Sequence, residues 1–202
     1  VDFLTPDAAG IGRVLELLRA GEVIGFPTDT VYGLAALASH ERAVRRVFEV
    51  KGRSLSQPLI LMVAEPEQLD GWALVDDRAR AYMRRWWPGP LTLVLPAVDG
   101  VGPPLTSATR PRTIAVRIPD HPLALALLRA AGEPLATTSA NRSGEPPALT
   151  PLESAWVEGL AAVLDGGRAP GEVPSTLLDL SGEEPRVLRA GPVPAESLLA
   201  HT

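Results

Sequence analysis

Apolar positions along the chain follow two spacings, one that suits helices and one that suits strands. Ile11, Val14, Leu15 and Leu18 recur at helical spacing and predict a first helix. Thr5 is its expected cap, Pro6 its first helical residue and Asp7 an acid favoured by the dipole, with Gly21 closing it. Glu22 to Phe26 is a short apolar run between turn signals and reads as a strand. The next segment, Pro27-Thr28-Asp29-Thr30-Val31-Tyr32-Gly33, is too polar for core and too β-branched for helix. A second helix is predicted from about Glu41 to Val50, with Ala43, Val44, Val47 and Phe48 inward and Gly52 ending it. Leu59 to Val63 reads as a buried strand, and Asp76 to Trp87 as a helix stopped by Pro88-Gly89-Pro90. Leu91 to Leu95 follows as another strand.

The second half repeats the alternation. Strands are predicted at Thr113 to Ile118 and Leu135 to Thr138, around a helix from Pro122 to Ala131 that Gly132 closes. A helix from about Pro151 to Gly159 precedes strands at Ala161 to Leu164, Thr176 to Leu180 and Arg186 to Leu188. Val193 to Leu199 reads as a last helical turn. Helices and strands interleave without a linker, so the expectation is a single α/β domain over residues 1–202. The adjacent late strands imply a mixed sheet.

Composition narrows the chemistry. The absence of cysteine excludes disulfides, thiol nucleophiles and cysteine-held zinc or iron–sulfur clusters. His40, His121 and His201 are scattered, so no histidine metal cluster is written locally. A net charge of −5 argues against an indiscriminate nucleic-acid binder while leaving room for a local basic surface. No apolar run reaches the ~18 residues that span a bilayer, and no basic-then-apolar leader opens the chain. A cytoplasmic location is therefore expected. Few thermolabile side chains and 21 prolines point to a thermostable protein, although nucleotide bias writes a similar composition. Of 19 basic residues only Lys51 is lysine, and Asn141 is the one asparagine. Residue types used once draw attention to those two positions.

Familiar motifs are missing. The sequence has no G-x-x-x-x-G-K-[ST], G-x-S-x-G or H-E-x-x-H, and Gly10 and Gly12 fall inside the first helix. What remains is a set of polar segments at strand ends, where open α/β sheets bind ligands. Thr28, Asp29, Thr30 and Tyr32 form the first, which could equally be a turn whose hydroxyls bond their own backbone. Lys51-Gly52-Arg53 places two cations at a helix end, where they either complement the dipole or meet a phosphate. Thr137, Thr138, Ser139 and Asn141 suit an anion such as phosphate, or an ordinary polar turn. Pro174-Ser175-Thr176 and Arg189-Ala190-Gly191 complete the set. Arg117 stands on an otherwise apolar strand and needs a carboxylate or phosphate, for which a structural Asp or Glu would also serve. Trp86 and Trp87 end a helix bearing Arg78, Arg80, Arg84 and Arg85, a set that could stack on RNA or form core beside a solvated face.

Taken in order, Pro27-Thr28-Asp29-Thr30-Val31-Tyr32-Gly33-Leu34, Lys51-x-Arg53 before Pro58-Leu59, Pro88-Gly89-Pro90-Leu91-Thr92, Ser139-Ala140-Asn141, Pro174-Ser175-Thr176 and Arg189-x-Gly191 resemble the YrdC-like threonylcarbamoyl-AMP synthase family. The resemblance covers nearly the whole chain. It implies a mixed, twisted sheet with flanking helices and a large concave cavity. It also implies a nucleotidyltransferase that joins L-threonine, bicarbonate or CO2, and ATP into threonylcarbamoyl-AMP with release of pyrophosphate. That product serves t6A modification of tRNA beside the anticodon, through downstream transferase machinery. Longer members carry a further C-terminal domain, for which 202 residues leave no room here. Carried over position by position, Thr30, Arg117, Thr137 and Ser175 surround the threonine. Lys51, Arg53, Thr113, Ser139, Asn141 and Arg189 surround the ATP, with Lys51 and Arg53 stabilising the departing pyrophosphate. Mg²⁺ accompanies the ATP, with no protein ligands assigned. Ser54 and Met62 depart from the family pattern, which more often has Pro and, in some relatives, His there. Two rivals stand beside this reading: a carbamoyl-AMP-forming relative, and a non-enzymatic protein of ribosome maturation that binds tRNA or double-stranded RNA.

Overall fold

The computed structural model describes residues 1–52, 54–55, 57–108, 111–142 and 144–200. Its centre is one sheet of ten strands in the order β1-β8-β2-β3-β7-β4-β6-β5-β9-β10. The strands are β1 (Asp2–Leu4), β2 (Ile24–Phe26), β3 (Gly33–Leu37), β4 (Ile60–Met62) and β5 (Leu91–Pro96). The remainder are β6 (Thr113–Arg117), β7 (Leu135–Ser139), β8 (Ala162–Leu164), β9 (Thr176–Asp179) and β10 (Arg186–Arg189). Parallel pairs (β1 with β8, β2 with β8, β4 with β6, β5 with β9) are interspersed with antiparallel ones, so the sheet is mixed as expected.

Helices cover both faces. α1 (Ala8–Arg19) and α4 (Pro122–Ala131) bury Val14, Leu18, Ala124, Leu127 and Leu128 against Phe26, Ala35, Met62 and Leu135. On the opposite face, α2 (Glu41–Lys51), α3 (Asp77–Trp86) and α6 (Ala195–Leu199) contribute Val44, Val47, Phe48, Tyr82, Met83 and Leu198 to a larger core. That core includes Leu34, Leu61, Leu93, Val116 and Leu178 from the sheet. The alternation along β6 separates the two sides: Ile114 and Val116 enter the larger core, whereas Thr113, Ala115 and Arg117 face the other way. Because α1 and α4 cover only part of that second face, the remainder is left for polar residues. The expected site lies there.

Several predicted elements shift. Asp7, not Thr5, caps α1, its carboxylate accepting from Gly10 N at 2.9 Å, and the helix opens at Ala8. α5 (Pro151–Ser154) is one turn: the reciprocal Thr150–Glu153 cap starts it, but residues 155–159 do not continue it. β1 and β3 were not expected. β1 is a three-residue edge strand, too short to carry a period, and β3 (Gly-Leu-Ala-Ala-Leu) is buried on both faces without β-branched residues. Trp86 and Trp87 both pack against the core. Arg78, read as part of a solvated face, is instead bonded to the carbonyls of Leu180, Gly182 and Glu183 at 2.6–2.7 Å.

Candidate active site

Registered strand pairs bring the polar residues to one face of the sheet. Met62 lies opposite Arg117, Ile60 opposite both Ala115 and Thr137, and Gly33 opposite Ser139. A small cleft of about 80 Å³ opens there, lined by residues that include Thr28, Thr30, Met62, Arg117, Thr137, Ser139, Ser175 and Arg189. All four residues assigned to the threonine side (Thr30, Arg117, Thr137 and Ser175) meet in it.

Arg117 is 2% exposed and has its own partners. Nε donates to Gly89 O at 3.0 Å, Nη1 to Thr30 Oγ1 at 3.0 Å and Nη2 to Asp29 Oδ1 at 2.6 Å. A guanidinium has five N–H groups, so one on each terminal nitrogen remains for a ligand. Burial pulls its pKa down and Asp29 pushes it back up. The sequence left its partner open between a ligand and a structural acid, and the structure supplies the acid. Asp29 was read only as part of the polar Thr28–Tyr32 segment and was given no role of its own, although an arginine in need of a carboxylate was the signal that could have found it.

The two readings of the Thr28–Tyr32 segment are divided between its residues. Thr28 makes the turn: its hydroxyl donates to Val31 O at 2.7 Å and accepts from Thr30 N and Val31 N. With that proton committed, Thr30 Oγ1 must donate to Thr28 Oγ1 at 3.0 Å and so is free to accept from Arg117. The Tyr32 hydroxyl donates to Gly167 O at 2.7 Å and accepts from Gly166 N at 3.1 Å. It ties down the loop that leads to Ser175. Thr137 Oγ1 donates to Ile60 O at 2.9 Å.

Across the cleft, Ser175 Oγ shares a hydrogen bond of 2.7 Å with Thr92 Oγ1, another residue the sequence reading did not place in the site. Arg189 holds the same segment, donating through Nε and Nη2 to Ser175 O at 3.1 and 2.8 Å. Gly191 allows that approach, since a Cβ there would collide with the backbone of Pro174, Ser175 and Thr176.

Lys51 is 5% exposed and reaches across the sequence to β7. Its ammonium donates to Ser139 O at 2.7 Å, to Ser139 Oγ at 3.1 Å and to Asn141 Oδ1. Asn141 is fixed in turn through Nδ2, which donates to Arg142 O at 3.0 Å and Glu145 O at 2.5 Å. The left-handed Gly52 closes α2, so Lys51 does not serve its helix end. Lysine and asparagine, each used once, thus meet in one knot. Beside it Asn141, Arg142, Pro146, Pro147, Leu149 and Trp156 line a broader hollow of about 1060 Å³. The structure has a small cleft and a separate broader hollow, and it does not show the one large concave cavity that was expected.

Thr113 shares the sheet face of Arg117 but stands at the opposite end of β6, and it is not among the residues lining the cleft. Arg53 lies outside the described residues. Among the described residues no group of three or more His, Asp or Glu side chains is placed to hold a metal ion. No helix among them is long and apolar enough to cross a membrane.

The profile of the Sua5/YciO/YrdC family, described as telomere recombination, matches residues 16–191. The chain is 41% identical over 204 residues to a Bacillus subtilis threonylcarbamoyl-AMP synthase, covering 98% of this chain and 58% of that protein. A Stenotrophomonas maltophilia threonylcarbamoyl-AMP synthase is 43% identical over 172 residues, covering 82% of this chain and 91% of the relative. Among solved structures, that of Pyrococcus abyssi Sua5 complexed with L-threonine superposes with a TM-score of 0.91 at 38% identity. It covers 98% of this chain and 59% of the other. The chain thus spans about six-tenths of the Bacillus and Pyrococcus relatives. With the family's sequence pattern and fold both carried across nearly its full length, the chain belongs to the Sua5/YciO/YrdC family.

Proposed function

We propose that this protein is a threonylcarbamoyl-AMP synthase, joining L-threonine, bicarbonate or CO2, and ATP, and releasing pyrophosphate. The observation that carries the reading is the sheet face on which a buried, hydroxyl-flanked Arg117 stands beside the Lys51–Ser139–Asn141 knot. A relative that shares the fold was solved with L-threonine. The small cleft is where threonine is placed. Its carboxylate would take the two remaining N–H groups of Arg117, and Thr30, Thr137 and Ser175 would meet its polar groups.

The threonine amine combines with CO2 to give a carbamate, losing a proton to water; an oxygen of that carbamate attacks the α-phosphorus in line. The bond to pyrophosphate breaks as the carbamate–phosphorus bond forms. The attacking group is already an anion, so no protein base is required. What the site must supply is positioning of two anions and stabilisation of the leaving charge. Lys51, Ser139, Asn141, Arg189 and Arg53 are assigned to the phosphates, and the broader hollow beside Asn141 to the nucleoside. Mg²⁺ would travel with ATP, held by its phosphates, since the described residues offer no set of carboxylates for it. The product would feed the machinery that installs t6A in tRNA, and no step requires tRNA to touch this chain. No observation favours double-stranded RNA binding as a separate role. The test is pyrophosphate release from ATP. It should depend on both threonine and bicarbonate; release that ignores threonine, or none at all, overturns the reading.

A further inference from the structure

Among the buried side-chain atoms with no hydrogen-bond partner among the described residues are Asp29 Oδ2, on the acid that holds Arg117, and His121 Nδ1. They are chemically complementary. A carboxylate oxygen only accepts, whereas imidazole Nδ1 donates in one of its two neutral tautomers. They are also electrostatic neighbours, Asp29 acting on His121 ahead of Asp120. The chain path explains the proximity, for β6 ends at Arg117 and only Ile118, Pro119 and Asp120 separate it from His121. His121 precedes α4, yet its side chain does not cap that helix. It therefore lacks the usual structural duty of its position.

We propose that His121 is a positioning residue for the threonine site, offering Nδ1–H to Asp29 Oδ2 through one bridging water. This rests on the functional reading above. Asp29 holds Arg117 through Oδ1 alone. A carboxylate anchored at one oxygen can rotate, and rotation would present a second negative charge to the substrate carboxylate. Fixing Oδ2 keeps Oδ1 on Nη2 and leaves the outer N–H groups of Arg117 aimed at the ligand. No proton is transferred.

The experiment uses the full chain and three variants. Asn places an amide nitrogen where Nδ1 stands, Gln places one where Nε2 stands, and Phe supplies neither. His121→Phe and His121→Gln should raise the KM for threonine about tenfold, the scale of one hydrogen bond to a charged group, with the KM for ATP unchanged. His121→Asn should stay within about threefold of wild type, because it keeps the donor. A purely structural role would shift the melting temperature of all three without separating the two KM values, and that result overturns the proposal. A long-range proton–nitrogen spectrum of the ligand-free protein decides the matter independently of activity. With three histidines to assign, the Nδ1–H tautomer of His121 supports the proposal and the Nε2–H tautomer overturns it. If wild type shows no threonine-dependent turnover, the synthase reading fails while this spectrum still tests the His121–Asp29 contact.

Discussion

Lys51 is where a single residue carries most consequence. Sequence alone marked it by rarity and read it two ways, as a cation at its helix end or as a contact for a phosphate. Burial and the bonds to Ser139 and Asn141 take it away from the helix end and tie it into the structure. We expect Lys51→Ala to lower pyrophosphate release by about 10²–10³, the scale of losing a preorganised charge-stabilising donor. It should also cost ~1.5–3 kcal/mol in urea unfolding, since buried acceptors lose their shared cation. Lys51→Arg should be impaired in both assays, because a planar guanidinium is too wide for a knot built on a compact ammonium. A fully active and fully stable Lys51→Arg enzyme would contradict the arrangement. Asn141 was marked by the same rarity and belongs to the same knot. Asp29 was not, since its role depends on a contact with a residue 88 positions away, which no local pattern records.

Elements with their own periodicity and punctuation were legible. α2 ends at the left-handed Gly52, and α4 spans the expected Pro122 to Ala131 before a left-handed Gly132. Elements made by their neighbours were not. β3 is a run of small apolar residues, and only pairing with β2 and β7 makes it a strand. Polar residues gathered at strand ends were readable as a site, but its division into cleft and hollow was not, because tertiary contacts between loops create it. The β9–β10 pair shows the same logic at a motif. Arg-x-Gly looks like a fragment of recognition sequence, yet Gly191 is required by the backbone of Pro174 to Thr176 lying against it. Gly191→Ala should push the loop after β10 off the start of β9, costing about 1–3 kcal/mol by overpacking. It should also release Ser175 from Arg189 and raise the KM for threonine. Unchanged unfolding and unchanged KM would show that the loop yields without effect.

For the molecule as a whole, the half-buried His121 sets a pH dependence. Burial pulls the His121 pKa below its ordinary 6.5, with Asp29 and Asp120 opposing in part. Between the folded value and 6.5 the unfolded chain binds more protons, so this contribution is complete above pH 6.5 and is lost as pH falls below it. Melting temperatures should decline from pH 7 toward pH 5, and His121→Asn should flatten that decline; an equal slope in both proteins would assign it to other groups. The order of the strands has a further consequence, for synthesis rather than for binding. β3 finds its second neighbour in residues 135–139 and β2 in residues 162–164, while β1 pairs only with the latter. At ~5–20 residues per second, a chain emerging N-terminus first holds these edges open for roughly 5–20 s before β7 is made. Thr30, suspended between β2 and β3, waits with them. The cleft thus comes into being only after β9 and β10 are made, when they reach β5 and carry Ser175 and Arg189 to it.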